Sequence, residues 1–276
     1  MVTVYDALKK AACSLSAVSD EAENEAKIIV SHLLGVEPLM LSFCNKEVDE
    51  RKLEKMICRR KKGEPLQYIL GKWWFYEGEF FVGKGVLIPR QDTETLVEAA
   101  LEELKDKKNA SVADLCAGSG AIGISIGNKR QDISVVCLEK YQKALKFLNK
   151  NIEHNKAFNV KAVKADVLKK PFGSYDLIVS NPPYISKSEM KALSKEVKKE
   201  PETALFGGKD GLDFYRKITR NWKKALNPEG TLMFEIGKGQ DEAVYKILKS
   251  EGFYKIGFKK DIPGVQRVIF GTVKNV

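Results

Sequence analysis

Residues 112–126 read Val112-Ala-Asp-Leu-Cys-Ala-Gly-Ser-Gly-Ala-Ile-Gly-Ile-Ser-Ile126, and this stretch decides the fold. The apolar run 112–115 is typical of a buried strand, and the residues from 121 onward are typical of a buried helix. Between them, Gly118 and Gly120 permit a tight turn and a close approach of the backbone to a ligand. A strand, a glycine turn and a helix in this order predict a nucleotide-binding α/β domain, since the helix N-terminus offers free N–H groups.

The alternation of strand and helix patterns continues on both sides of this stretch. Apolar, strand-like runs lie near 111–116, 133–138, 160–164, 175–180, 230–236, 253–258 and 267–273, and helical patterns lie at 93–105, 121–129, 141–154, 211–226 and 239–250. The alternation predicts a mostly parallel sheet covered by helices on both faces. Only residues 259–265 separate the last two strands, which is too few for a helix, so these strands are predicted to form an antiparallel hairpin at the sheet edge.

The N-terminal part of the chain has a different pattern. Residues 1–64 contain three helical patterns, the second of which ends at Gly35, and they predict a small helical domain without a catalytic constellation. Such a domain is either a packing unit or an element that recognises a partner. Residues 65–92 carry aromatic runs between glycines and predict a β-hairpin linker to a catalytic domain at 93–276.

Composition limits the classes of protein. None of the 276 residues lies in an apolar stretch of the ~20 residues that a membrane span needs, and residues 1–6 lack a signal-peptide pattern. Five cysteines without a Cys-x-x-Cys pair, and two histidines, predict neither a disulfide scaffold nor a metal site, and they favour the cytoplasm. Residues 81–276 hold 35 Lys and Arg against 24 Asp and Glu, which favours an anionic partner or is a solvated lysine-rich surface.

Two cofactors fit the glycine turn. Residues 118–123 match the GxGxxG pattern of NAD sites, and Glu139 ends the next strand, where a carboxylate accepts ribose hydroxyls. S-adenosylmethionine carries an ammonium group that needs an acceptor, and Asp114 supplies one that would repel a pyrophosphate. We therefore expect S-adenosylmethionine. The expected contacts are Asp114, the turn residues Cys116, Ala117, Gly118, Ser119 and Gly120, then Glu139 on the ribose, and Asp166 and Val167 on the adenine.

The motif Asn181-Pro-Pro-Tyr184 follows the apolar run 175–180 and predicts the acceptor site. Asn181 and Pro182 each precede a proline and are pushed toward extended geometry, while the prolines carry no N–H. The Asn181 side-chain oxygen and the Pro182 carbonyl can each accept one hydrogen of a planar –NH2 group, and Tyr184 supplies an aromatic wall. Methyl transfer to a planar nitrogen fits this turn. We assign catalysis and substrate binding to Asn181, Pro182, Pro183 and Tyr184, and place Asn181 also beside the cofactor.

These motifs in this order resemble S-adenosylmethionine-dependent methyltransferases that have a Rossmann-like class I sheet and act on amide or amino nitrogens. Residues 87–94, 200–212 and 230–240 further resemble segments of the peptide chain release factor N5-glutamine methyltransferases, the HemK/PrmC family, and so does the layout of helical domain and hairpin. The resemblance covers essentially the whole chain. It implies methylation of the glutamine in the Gly-Gly-Gln motif of class 1 release factors, with S-adenosylhomocysteine as product and the helical domain recognising the substrate.

The resemblance also implies an enzyme that is compatible with work near the ribosome and requires no membrane or stable nucleic-acid binding. An amino-methyltransferase of DNA adenine or an RNA base shares the motif and suits the basic surface, and a cofactor-sensing module that transfers nothing is a further alternative. Gln91 stands where the family usually has proline, and Cys116 stands where glycine is common, so Cys116 is expected to fit with a negative φ. Arg90 and Glu94 either order a lid over the cofactor or form a helix cap and an interdomain ion pair. No general base is named, and Glu235 is a carboxylate that could serve as one without any support from the sequence.

Overall fold

The main sheet of this computed structural model, which describes residues 1–274, is built from the strands that follow the glycine turn and flank it. They are β3 (Ser111–Leu115), β4 (Ser134–Glu139), β5 (Val160–Lys164), β6 (Tyr175–Ser180), β7 (Leu226–Glu235), β8 (Tyr254–Lys260) and β9 (Gln266–Thr272). Within the described chain their order is β5-β4-β3-β6-β7-β9-β8. The pairs from β5 to β7 are parallel, which confirms the predicted mostly parallel sheet.

The C-terminal hairpin closes one side of the sheet. Strand β9 is antiparallel to both β7 and β8, and β8 lies outermost. The predicted antiparallel hairpin at the edge is therefore confirmed, with the last strand of the sequence one position inside the edge. The register of β7 with β9 pairs Glu235 with Val268, so the start of β9 lies beside the carboxyl end of β7.

Helices cover both faces of the sheet because the strands are apolar on both sides. They are α5 (Glu94–Glu103), α6 (Ala121–Lys129), α7 (Gln142–His154), the short α8 (Glu189–Ala192), α9 (Asp213–Trp222) and α10 (Asp241–Ser250). One core contains Val112 with Leu96, Ile124 and Leu148 from α5, α6 and α7. The other contains Ala113 and Leu115 with side chains of α9 and α10. Neighbouring residues of β3 thus enter opposite cores, as the period of a strand requires.

A two-stranded sheet of β1 (Lys72–Phe75) and β2 (Gly78–Phe81) matches the predicted hairpin. The buried Asn151 of α7 fixes it. Its Oδ1 accepts a hydrogen bond from Phe81 N at 2.7 Å, and its Nδ2 donates to Phe81 O at 3.1 Å. The same Nδ2 also donates to Ser119 O at 2.9 Å, so a single side chain connects the hairpin to the glycine turn.

The N-terminal helices form a separate compact unit made of Met1–Lys72 and Ser194–Lys199. It contains α1 (Val4–Leu15), α2 (Ala22–Leu34), α3 (Glu50–Lys61) and α4 (Leu66–Leu70), and α2 ends at Gly35 with φ 65°. Helix α4 was not expected in the linker, and its Leu66 and Ile69 are buried in the core of this unit. In the same unit, Arg60 lies 2.7 Å from Glu25 and 3.1 Å from Glu196.

The other compact unit comprises Trp73–Leu193 and the chain from Glu200 onward, and it contains the sheet and its covering helices. Among residues 1–274, no helix combines the length and the apolar character that crossing a membrane demands.

Candidate active site

A cavity lies at the carboxyl ends of the central strands, where the order of the parallel strands reverses between β3 and β6. The sheet brings most of the predicted site residues together here. The predicted positions that line the cavity are Cys116, Ala117, Gly118, Ser119, Glu139, Asp166, Val167, Asn181 and Pro183. Asp114, Gly120, Pro182 and Tyr184 are not among the residues that line it.

Gly120 lies on the side of the turn that packs against Leu148 and Ile124. It begins α6 with φ 82°, in the left-handed region, and a Cβ at this position would lie 2.4 Å from Leu148 Cδ1. Its N–H donates to Ala117 O at 2.7 Å, and Ala117 N donates to Leu138 O at 3.0 Å. The turn therefore requires glycine at position 120 for conformation and for space.

Cys116 differs from its predicted conformation. The expectation of a negative φ is wrong, because its φ is 62°. This conformation costs an L-residue roughly 1–2 kcal/mol. The side chain lines the cavity, and burial raises the pKa of its thiol strongly, with further contributions from the Glu139 and Asp114 carboxylates. Cys116 is therefore a protonated thiol without nucleophilic character at neutral pH.

Glu139 links the second strand to the glycine turn. Its Oε2 accepts a hydrogen bond from Gly118 N at 3.0 Å, and its Oε1 accepts one from Tyr141 N at 2.7 Å. Burial raises the pKa of this carboxyl, against the lowering effect of the backbone N–H donors. A carboxylate has about four lone-pair sites, and the Lys140 N–H also acts on this one, so at least one site remains for a hydroxyl group in the cavity that Glu139 lines.

Asp114 requires a correction. Its side chain is fully buried behind the turn, and Oδ2 accepts a hydrogen bond from Gly123 N at 2.9 Å. Burial raises the pKa of Asp114 to about 7, and Oδ1 has no hydrogen-bond partner. Asp114 thus anchors the first turn of α6 instead of facing the cavity, and the expected direct contact with a cofactor ammonium has no geometric support.

Asp166 and Val167 follow β5 at the predicted place. Asp166 Oδ1 accepts a hydrogen bond from Leu168 N at 3.0 Å, and Oδ2 lies 3.0 Å from Lys140 Nζ. Burial acts to raise the pKa of Asp166, but the Lys140 contact and the Leu168 N–H together lower it, so the group is a carboxylate. Val167 is buried and lines the cavity, which places an acceptor beside an apolar surface.

The Asn-Pro-Pro-Tyr turn begins directly after β6. Ser180 fixes its start, because its Oγ donates to Leu115 O at 2.7 Å and ties β6 to β3. Asn181 lines the cavity, and its Nδ2 donates to Thr93 Oγ1 at 3.3 Å, a contact that does not use the side-chain oxygen. Pro183 lines the cavity as well.

Pro182 and Tyr184 are placed differently from the expectation of direct lining. Pro182 is buried, and the half-buried Tyr184 packs on the core formed with α9 and α10. Tyr184 O accepts a hydrogen bond from Gln240 Nε2 at 3.0 Å, and burial is the main cause that raises the pKa of its hydroxyl. Tyr184 supports the turn in this structure.

Arg90 and Glu94 separate into two roles. Arg90 lines the cavity and forms an ion pair with Glu200, a nearly fully buried carboxylate that also accepts a hydrogen bond from Ile88 N at 3.0 Å. Glu94 does not line the cavity, and its Oε1 accepts from Tyr76 N at 2.9 Å. Arg90 therefore forms an ion pair, but with a residue of its own compact unit and not between domains as expected. Glu200 was missed as its partner, although it stands in one of the segments that carry the family resemblance.

Thr93 was also missed as a site residue, whereas Glu235 was named without an assigned role. Thr93 lines the cavity, and Glu235 ends β7 with its side chain almost completely buried. Burial is the largest cause that raises the pKa of Glu235 to about 7, while polar contacts from Thr93 and Asn181 lower it. The sequence offers no local signal for this cluster, because its members come from three separate segments.

Two families match the chain. Residues 6–71 match the family described as the PrmC N-terminal domain, and residues 91–209 match the family described as the methyltransferase small domain. A release factor glutamine methyltransferase from Clostridium acetobutylicum is 41% identical, over 98% of this chain and 98% of its own length. One from Thermodesulfovibrio yellowstonii is 40% identical, over 89% and 90% of the two chains.

The solved structures add the fold. The hMettl16 catalytic domain, crystallised with a MAT2A 3′UTR hairpin, aligns with a TM-score of 0.58 at 14% identity and covers 81% of each chain. At this identity the likeness shows the fold alone.

Proposed function

Because this chain belongs to the release factor glutamine methyltransferase family, we propose that it methylates the side-chain N5 nitrogen of the glutamine in the Gly-Gly-Gln motif of class 1 peptide chain release factors. The observation that carries the proposal is the full-length similarity to relatives named for this reaction, 41% over 98% of both chains for one of them. Asn181, which offers an acceptor oxygen and lines the same cavity as the glycine turn, agrees with this proposal.

The cavity residues fit S-adenosylmethionine. Glu139 has at least one lone-pair site left for a ribose hydroxyl, and Asp166 beside Val167 suits an amino group on a flat ring. The turn 116–119 offers its backbone to the amino-acid part. When bound, the cofactor supplies a methyl group activated by a sulfonium, which needs no metal or general base before attack. Its product is S-adenosylhomocysteine.

Asn181 and Pro182 would act by orienting the amide. Asn181 Oδ1 and the Pro182 carbonyl would each accept one hydrogen of the glutamine –NH2 group and fix the direction of its lone pair, which is delocalised into the carbonyl. The nitrogen would gain positive charge as its bond to the methyl carbon forms and the carbon–sulfur bond breaks, so the two hydrogen bonds would become charge-assisted and strengthen in the transition state. The methylated nitrogen would then release one of its protons to water. Orientation of this kind contributes several kcal/mol, up to roughly 7–11 in ideal cases.

The helical unit would recognise the release factor. It exposes a short apolar run in the 3₁₀ helix Pro38–Phe43, where Leu39 is 89% and Phe43 is 79% accessible. Exposed apolar groups close together mark surfaces that bind other proteins. This proposal implies work in the cytoplasm close to the ribosome, without a need for stable nucleic-acid or membrane binding.

The test is a methyl-transfer assay with labelled S-adenosylmethionine. The acceptors are a bacterial class 1 release factor, the same factor with the motif glutamine changed to alanine, duplex DNA and RNA. We expect label on the unchanged release factor alone. Label on nucleic acid and none on the factor would favour the amino-methyltransferase alternative. The binding surface would then be formed by the Lys and Arg side chains within residues 81–276. Cofactor binding without any transfer would favour the sensing module.

A further inference from the structure

We propose that Glu235 is a positioning residue that holds the side-chain amide of Asn181 with its oxygen toward the acceptor site. The inference rests on the proposed function, since it concerns the residue that would grip the substrate amide. It assigns a role to a buried carboxyl group that the methyl-transfer chemistry does not otherwise use.

The register of the sheet brings the two residues together. In the parallel pairing of β6 with β7, Ser180 stands opposite Phe234. Asn181 and Glu235 are the next residues along the two strands, so they lie side by side at neighbouring strand ends. The Glu235 carboxyl is close enough to Asn181 and Thr93 for both side chains to lower its pKa. Glu235 is almost completely buried and does not line the cavity that Asn181 lines.

Thr93 connects the two groups. Its Oγ1 accepts the hydrogen bond from Asn181 Nδ2 at 3.3 Å. The hydroxyl proton of Thr93 is then free to be donated, and the contact with Glu235 gives it an acceptor. Glu235 Oε2 is buried and has no hydrogen-bond partner in this structure, so it is an acceptor that is still available. With Thr93 donating its hydroxyl proton to Glu235, the order Asn181 Nδ2–H to Thr93 Oγ1–H to Glu235 would run in one direction.

The direction matters because the two ends of an asparagine amide have nearly the same shape. A flipped Asn181 would present –NH2 to the substrate –NH2 group, and two donors cannot bond. An ionised Glu235 only accepts, so it keeps the donors of Thr93 and Asn181 on its own side. A protonated Glu235 can donate, which allows the Thr93 hydroxyl to reverse and the flipped amide to be satisfied.

Glu235 changes between its protonated and its ionised form near neutral pH. Burial raises its pKa to about 7, opposed first by Thr93 and then by the Arg267 guanidinium of β9. Asp92, next to Thr93, acts to raise the pKa, and Arg267 lies 2.9 Å from Asp92 and 3.1 Å from Asp261. The other titratable groups that interact with Glu235 are the hydroxyls of Tyr184 and Tyr215.

The first test is the pH dependence of methyl transfer by Glu235→Gln. Wild-type kcat should rise about tenfold per pH unit below an apparent pKa near 7 and level off above it. In Glu235→Gln, which can both donate and accept, kcat at pH 8 should be roughly tenfold to a hundredfold lower, and the acid limb should vanish. Affinity for S-adenosylmethionine should stay within about twofold if the effect lies in orientation alone. The exposed Glu242→Gln is the matched control and should behave as wild type.

The second test does not depend on transfer. The side-chain amide ¹⁵N resonance of Asn181, observed with S-adenosylhomocysteine present, should titrate near pH 7 in the wild type and not in Glu235→Gln. Thr93→Val, which removes the relay, should reduce the pH-dependent shift of this resonance, so the role of Glu235 can be tested even if Glu235→Gln fails to fold. An Asn181 resonance that ignores pH in the folded wild type would overturn the proposal. If the wild type methylates no release factor, the proposed function fails, while the resonance still decides the role of Glu235.

Discussion

Replacing Glu139 by glutamine tests the cofactor site most directly, because both carboxylate oxygens have defined partners. Oε2 accepts from Gly118 N at 3.0 Å and Oε1 accepts from Tyr141 N at 2.7 Å. A glutamine side chain has one oxygen, so its –NH2 group must face one of these two N–H donors. We therefore expect either the glycine turn or the start of α7 to lose its anchor.

The expected loss of affinity for S-adenosylmethionine follows from the number of hydrogen bonds that Glu139 can accept. A hydrogen bond from a hydroxyl to a carboxylate contributes about 1.5–3 kcal/mol, which corresponds to roughly tenfold to 150-fold in the dissociation constant. If Glu139 accepts one ribose hydroxyl of S-adenosylmethionine, Glu139→Gln should weaken binding by this factor. Disturbance of the Gly118 anchor adds to the effect and does not offset it. Isothermal titration calorimetry at pH 7.5 measures the change, and a melting curve without ligand controls for folding.

An analogue of S-adenosylhomocysteine without one ribose hydroxyl makes the test specific. The wild type should bind this analogue more weakly than the parent ligand, whereas Glu139→Gln should bind the two almost equally, because the partner of the missing hydroxyl is already gone. If both proteins lose the same affinity for the analogue, Glu139 does not contact the ribose and the reasoning fails.

Other predictions use the same structure. Asn181→Ala should lower kcat by about 10²–10³ with the calorimetric affinity for S-adenosylmethionine nearly unchanged, and a turnover close to wild type would refute the orienting role. Cys116→Val should be at least about 1 kcal/mol less stable than Cys116→Ala in urea unfolding, because a β-branched residue tolerates φ 62° poorly, and equal midpoints would contradict this. The pKa of Asp114 is raised from 3.8 to about 7, so the proton it gains on folding stabilises the wild type at low pH, and this stability is lost as pH rises through 7. Relative to wild type, Asp114→Asn should therefore gain about 1 kcal/mol per pH unit between pH 5 and 7, and parallel stability curves would show that Asp114 titrates normally.

The sheet was predictable from the sequence because its strands are short apolar runs separated by periodic helices. Helix α4 was not, since Leu66–Leu70 is only five residues long and lies next to the aromatic hairpin. The inclusion of Ser194–Lys199 in the helical unit was not predictable either. It depends on contacts such as that of Glu196 with Arg60 and not on a local pattern.

Most of the predicted site residues line the cavity, but some of them face away from it. The alternation of β3 could have placed Asp114, because Val112 lies in the core beneath α6 and a residue two positions later points to the same side. The motif spacing suggested a cofactor contact instead. Cys116 carried a signal that was read the wrong way: a position where glycine is common is one where positive φ is expected.

The glycine turn alone could not choose between NAD and S-adenosylmethionine, and the structure explains why. Gly123, which completes the GxGxxG match, serves packing: a Cβ there would lie 2.3 Å from Cys137 Sγ, so the residue lets α6 approach β4 whatever the ligand. The discriminating groups lie on other strands. Asn181 gains its direction from Thr93 and the register of β6 with β7, and neither is visible in a local motif. Local sequence therefore supplies the reactive groups of this site, and pairing between distant segments decides where those groups point.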